Sequence, residues 1–167
     1  SAGYSDFDLF YDEDGKPHLK DGKQISITHS HNFSAIIIGQ ENVGIDIELQ
    51  REKIARIADK FVEHEFDYLN KESAEYIKKL TVIWGAKEAK YKMCNSRSLS
   101  FKEDMKVFPF DLLDGKGNAS VQQNEFEKEF NFSQEKSKYQ VIYPSPRGIP
   151  WDHHQAKKLA HNISQDD

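Results

Sequence analysis

A chain of 167 residues with 37% hydrophobic and 12% aromatic content is long enough for one hydrophobic core or two small lobes, and its 11 Phe and 7 Tyr exclude general disorder. A net charge of −5 argues against a general nucleic-acid binder, and one cysteine, Cys94, excludes an intrachain disulfide and fits a reducing compartment. The absence of a run of about 18 apolar residues, and of a basic-then-apolar N-terminus, predicts a cytoplasmic protein with no membrane span and no signal peptide.

Residues 1–24 are polar and turn-rich, with a turn at Asp14-Gly15-Lys16-Pro17 and another at Asp21-Gly22. Three apolar runs follow, 25–30, 33–39 and 43–49, whose spacing predicts an antiparallel meander. In the third, the period of two puts Val43, Ile45 and Ile47 on one face and Asp46 with Glu48 on the other. Two carboxylates on one side of a strand serve equally as an ordinary solvated face or as oxygen ligands for a hard cation such as Mg²⁺.

Helical periodicity returns over 53–62 and, more briefly, over 63–69. The longest predicted helix runs from Ser73, as N-cap, to Met93 or Cys94, with an apolar stripe of Ile77, Leu80, Trp84 and Tyr91. Glu88 falls inside that stripe, where a carboxylate is costly unless it is paired or bound to a cation. Lys92, one turn on, either pairs with Glu88 on a wet face or sets an ammonium beside a metal-binding carboxylate. Strands are then predicted over 105–113, 126–132 and 139–143, with a turn at 114–118. The tail from Pro144 is polar, with a short helix over 151–160, and His153, His154 and His161 lack the spacing of a metal site. No internal repeat is visible.

Gly15-Lys16-Pro17, the run Ile25-Ser26-Ile27-Thr28-His29-Ser30, the run Val43-Gly44-Ile45-Asp46-Ile47-Glu48, and residues 84–92 occur in that order. Together they resemble the 4′-phosphopantetheinyl transferase superfamily, and more closely its surfactin-synthetase-activating (Sfp-like) branch. Thr28 stands where that branch usually has Ser, which keeps the hydroxyl. The resemblance implies an α+β fold, with an antiparallel sheet packed against a long helix, in a pseudo-dimer of two lobes. Residues 1–42 would be the remnant of a truncated N-terminal lobe, 43–143 the C-terminal lobe, and 144–167 a polar tail.

The same resemblance implies Mg²⁺-dependent transfer of 4′-phosphopantetheine from coenzyme A to a serine of an acyl or peptidyl carrier protein, releasing adenosine 3′,5′-bisphosphate. By position, Asp46, Glu48 and Glu88 would hold the metal. Lys92 and Lys87 would contact phosphate or the pantetheine arm, Lys16 and His29 the nucleotide phosphates, and Thr28 and Ser30 would line that pocket. Glu88 would accept the serine proton, with Glu48 and Glu65 behind it. Lys78, Lys79 and Lys90 either form part of a face for an acidic carrier or only solvate the helix. Two other readings share these residues: a catalytically impaired module that binds coenzyme A or a carrier, and a Mg²⁺-dependent nucleotide or pyrophosphate hydrolase.

Overall fold

The structure is a computed structural model that describes residues 3–30, 33–94, 98–123, 125–136 and 140–145. The helix expected over 151–160 and the three tail histidines lie outside the described residues.

Two small hairpins come first. Strands β1 (Leu9–Tyr11) and β2 (Pro17–Leu19) pair antiparallel around the turn at 12–16. There the Asp12 carboxylate accepts from the amides of Asp14 and Lys16, both at 2.9 Å, and Gly15 takes a positive φ of 78°. Strands β3 (Gln24–Ser30) and β4 (Phe33–Gly39) pair antiparallel over their whole length, with Ala35 and Ile37 turned into the protein.

The expected three-stranded meander is not what forms. Strand β5 is short, Asp46–Glu48, and it pairs antiparallel with β9 (Gln140–Ser145) rather than with β4. Its other edge meets side chains of β3, where Ser26 Oγ accepts from the Ile45 amide at 3.1 Å and Thr28 Oγ1 from the Ile47 amide at 3.2 Å. Hydroxyls on β3 thus satisfy backbone donors that a direct strand neighbour would otherwise take. The result is a five-stranded antiparallel sheet in the order β5, β9, β8 (Phe126–Lys136), β7 (Lys116–Gln123), β6 (Met105–Val107).

Strand β6 is shorter than the predicted 105–113 run. Pro109 has no N–H to donate, and beyond it the Asp111 carboxylate captures the Leu113 amide at 2.9 Å to start a 3-10 turn at Leu112–Asp114. Strand β7 lies outside the predicted strands, and its first three residues overlap the turn predicted at 114–118. Its inward residues, Ala119 and Val121, are too few and too small to stand out among polar neighbours, yet both are buried.

Helix α1 (Ile54–Ile57) and 3-10 turns at Ala58–Lys60 and His64–Asp67 replace the two longer helical segments read from periodicity. Helix α2 (Tyr76–Met93) is the long helix. It packs on β9, β5, α1 and β6, so burial extends well beyond the predicted stripe to Thr81, Val82, Ile83, Ala86 and Ala89. Phe61, Val62, Leu80, Ile83 and Phe132 form the centre of the core, each without solvent exposure. Among the described residues, no helix is long and apolar enough to cross a membrane. An antiparallel sheet packed against one long helix is the α+β arrangement the sequence predicts.

Candidate functional site

The site lies where the chain entering β5 crosses α2. Gly44 makes that crossing tight: a Cβ built on it would fall 2.0 Å from the carbonyl oxygen of Ala89 and 2.8 Å from Met93 Cγ. Only a hydrogen fits there. The close approach carries Asp46 and Glu48 on β5 toward Glu88 and Lys92 on α2, which lie one turn apart.

Asp46 is buried, at 4% exposure. Its Oδ1 receives Thr28 Oγ1 and Lys92 Nζ, each at 3.4 Å, while Lys92 Nζ also donates to the Ile45 carbonyl at 2.8 Å. Among the described residues its Oδ2 is buried with no hydrogen-bond partner, a costly state for a carboxylate oxygen, and Asp46 gains a hydrogen bond from the Glu48 carboxyl only when that group holds its proton. Glu48 is half-buried and accepts a 2.9 Å hydrogen bond from the indole Nε1 of Trp84. Burial first, and then the neighbouring charge of Asp46, pushes the Glu48 carboxyl up to about 8, with Glu88 adding to the rise and Trp84 opposing it. Burial also raises Glu88, followed by the charge of Asp46, with Lys92 opposing. The charge of Asp46 thus raises both Glu48 and Glu88, which sets three carboxyl groups within electrostatic reach of one another.

The donor set suits a hard cation, since all its donors are oxygens and one buried oxygen is orphaned. Among the described residues, no three His, Cys, Asp or Glu side chains are gathered into a ready-made metal-binding group.

Two clefts open beside this centre. One, of about 740 Å³, is lined by Asp12, Asp14, Lys16, Pro17, Tyr91 and Lys92 among others. The other, of about 610 Å³, is lined by Ser30, Glu48, Arg51, Lys53, Arg56 and Trp84 among others. Lys92 reaches the first and Glu48 the second, with Asp46 between them through its bond to Lys92.

The predicted site residues therefore divide into four groups. Asp46, Glu48, Glu88, Lys92 and Thr28 meet at the β5 and α2 junction, and Lys16 and Ser30 stand in separate clefts. His29 is exposed, its Nδ1 sits 2.7 Å from Ser34 Oγ across the hairpin, and it lines neither of these clefts. Lys87 requires a correction. It has no solvent exposure and donates to Glu65, to the Phe61 carbonyl at 2.6 Å and to the Phe101 carbonyl at 2.8 Å. With all three ammonium protons engaged in the core, it has none for a phosphate or a pantetheine arm. Glu65 is equally buried against Lys87, so it is closed off as a proton acceptor. Burial pushes Glu65 up and Lys87 down, each shift opposed by the partner's charge.

Sequence reasoning passed over Trp84 as a hydrogen-bond donor, because it read as core, and it passed over the cations of the second cleft. The available signal for the latter was Arg51, Lys53 and Arg56 crowded just after Glu48.

Fold and site together define an α+β protein with an acidic centre held between a sheet edge and a long helix, open to clefts on two sides. A family model described as the 4′-phosphopantetheinyl transferase superfamily matches residues 42–145, a span that runs from just before β5 to the end of β9. The chain belongs to that superfamily, which makes it a transferase with phosphopantetheine transfer as its general chemistry. No curated protein matches the chain.

Proposed function

We propose that this protein transfers 4′-phosphopantetheine from coenzyme A to a serine of an acyl or peptidyl carrier protein, with Mg²⁺ as cofactor, in the manner of the Sfp-like branch. The observation that carries the reading is the centre of Asp46, Glu48 and Glu88, with its orphaned Oδ2, placed between two clefts.

The first cleft suits coenzyme A. Lys16 and Lys92 offer ammonium groups to phosphates, and Pro17, Ile25 and Tyr91 supply apolar wall. Most of that lining comes from motifs ahead of the matched span, which supports the Sfp-like branch. The second cleft suits the acceptor, since Arg51, Lys53 and Arg56 around Glu48 favour an acidic protein and Ile54 and Ile57 add apolar contact.

Asp46 and Glu48, with Glu88 beside them, would hold the cation, which when bound neutralises charge on the pyrophosphate. The serine oxygen forms a bond to the phosphorus that carries pantetheine, and the bond from that phosphorus to the bridging oxygen breaks. Adenosine 3′,5′-bisphosphate leaves with that oxygen and its electron pair. Glu88 takes the serine proton, with Glu48 as the nearest substitute. Lys92 holds Asp46 in place from one side and faces the coenzyme A cleft from the other.

The test is incubation of purified protein with coenzyme A, Mg²⁺ and a panel of apo carriers, read by intact mass. One added phosphopantetheine per carrier, abolished by a serine-to-alanine change in the carrier, is expected. A panel that stays unmodified at high enzyme concentration overturns the reading.

A further inference from the structure

Lys87 and Glu65 form an ion pair with no solvent exposure on either side chain. Burying two charges is expensive, and an apolar pair of similar volume is often as stable or more so, so packing alone gives little reason for charges here. What the ammonium holds besides Glu65 is more informative. Its two remaining acceptors are the backbone carbonyls of Phe61 and Phe101.

The rings of those two residues both pack on Trp84. The Phe61 ring meets it edge-on at 5.1 Å between centroids, and the Phe101 ring lies at 5.5 Å and also contacts Tyr91 at 5.3 Å. Trp84 in turn donates its indole N–H to Glu48. One buried ammonium therefore fixes the backbone of two residues from separate segments, 61–65 and the loop at 101, whose rings bracket the indole that holds Glu48.

We propose that the Lys87–Glu65 pair is a positioning device for Glu48, acting through Phe61, Phe101 and Trp84. Neither charged residue touches substrate. Their directional bonds specify where two rings stand, which apolar packing would leave less defined. Trp84 then has one resting place, and the Glu48 carboxylate is oriented toward the second cleft by a hydrogen bond from a fixed donor. The kinetic part of the following test rests on the transferase reading; the spectroscopic part does not.

The chain has two tryptophans, so a Trp151→Phe background leaves Trp84 as the sole indole reporter. In that background the double variant Lys87→Met/Glu65→Leu removes both charges and keeps apolar volume. The expected result is a cooperative fold with unchanged or raised Tm. Acrylamide quenching of Trp84 rises by about twofold or more, and kcat for carrier modification falls by about tenfold or more, while KM for coenzyme A stays within about twofold.

A folded double variant with parental quenching and parental kcat overturns the proposal and leaves the pair a structural contact only. Should the double variant not fold, Lys87→Met alone supplies the same decision, because it removes the bonds to both carbonyls and leaves the rings in place, with Glu65 able to hold a proton. Raised quenching with lowered kcat is again expected, and unchanged values overturn the proposal. Should the parent modify no carrier at all, the transferase reading fails, and the quenching measurement alone decides whether the pair positions Trp84.

Discussion

Gly44 lies against the carbonyl oxygen of Ala89 so closely that a Cβ would stand 2.0 Å from it. The obstacle is helix backbone, which cannot rotate aside as a side chain could. Gly44→Ala must therefore push the approach to β5 away from α2, and overpacking of this kind costs about 2 kcal/mol or more. The expected outcome is a clear fall in Tm together with loss of transfer, because the same displacement separates Asp46 from Lys92. Thermal melts beside the mass assay check it. A variant with parental Tm and activity would show that the strand and helix need not meet this closely.

The residues at that crossing were legible in the sequence, and their partners were less so. Asp46 and Glu48 were readable because alternation with Val and Ile put them on one face, and Glu88 because a carboxylate stood in an apolar stripe. The pairing of β5 with β9 was not, since the ladder partner is far along the chain and the nearer β4 had the stronger apolar pattern. Lys87 was misplaced for a related reason. The family resemblance implied a ligand contact there, and nothing local announced that Glu65 would close on it in the core. The length of α2 was clear, whereas its burial on most sides depends on four elements packing around it.

Lys92 is expected to restrain the cation as well as to serve the substrate. Its ammonium lies 3.4 Å from Asp46 Oδ1, where its positive charge opposes a second cation on the same carboxylate. Lys92→Met should tighten Mg²⁺ or Mn²⁺ binding several-fold while slowing transfer by about a hundredfold, since a positioned cation is lost from the phosphate cleft. Titration calorimetry with the metal alone, set beside kcat, separates the two effects. Weaker metal binding in Lys92→Met would contradict this account of the ion pair.

Glu48 gives the metal-free protein a pH dependence of definite sign. Its carboxyl rises from about 4.5 in the unfolded chain to about 8 in the fold, so between those values the native state holds the extra proton. Its contribution to stability is full below pH 4.5, declines as pH rises, and is gone above about pH 8. Glu88 and Glu65 shift in the same direction, so Glu48→Gln should make the decline shallower without removing it. Urea unfolding from pH 5 to 9 measures the slope. Addition of Mg²⁺ should flatten it and release protons near neutral pH, because the cation favours the ionised carboxylates.

Glu88→Gln separates stability from function. In the metal-free fold Glu88 is raised by burial and by Asp46, so a neutral amide of the same shape removes a repulsion. Tm should hold or rise, most visibly above pH 7. Transfer should fall by about 100- to 1000-fold through loss of a metal-facing oxygen and of the proton acceptor. A drop in Tm with activity retained would place Glu88 in a structural role.

Lys53 and Arg56 test the direction from which the acceptor arrives. Both are exposed on the cleft that Glu48 lines, opposite in function to the Lys16 and Lys92 cleft assigned to coenzyme A. Rim charges of this kind act mainly on encounter with a charged partner and are screened by salt. Lys53→Glu/Arg56→Glu should therefore raise KM for an acidic carrier by about tenfold at low ionic strength. KM for coenzyme A should not change, and the defect should shrink as salt is added. Steady-state kinetics with each substrate varied in turn distinguishes the two clefts. A defect confined to coenzyme A would mean that their roles are reversed, with the nucleotide lying over Glu48 and the carrier approaching across Lys16.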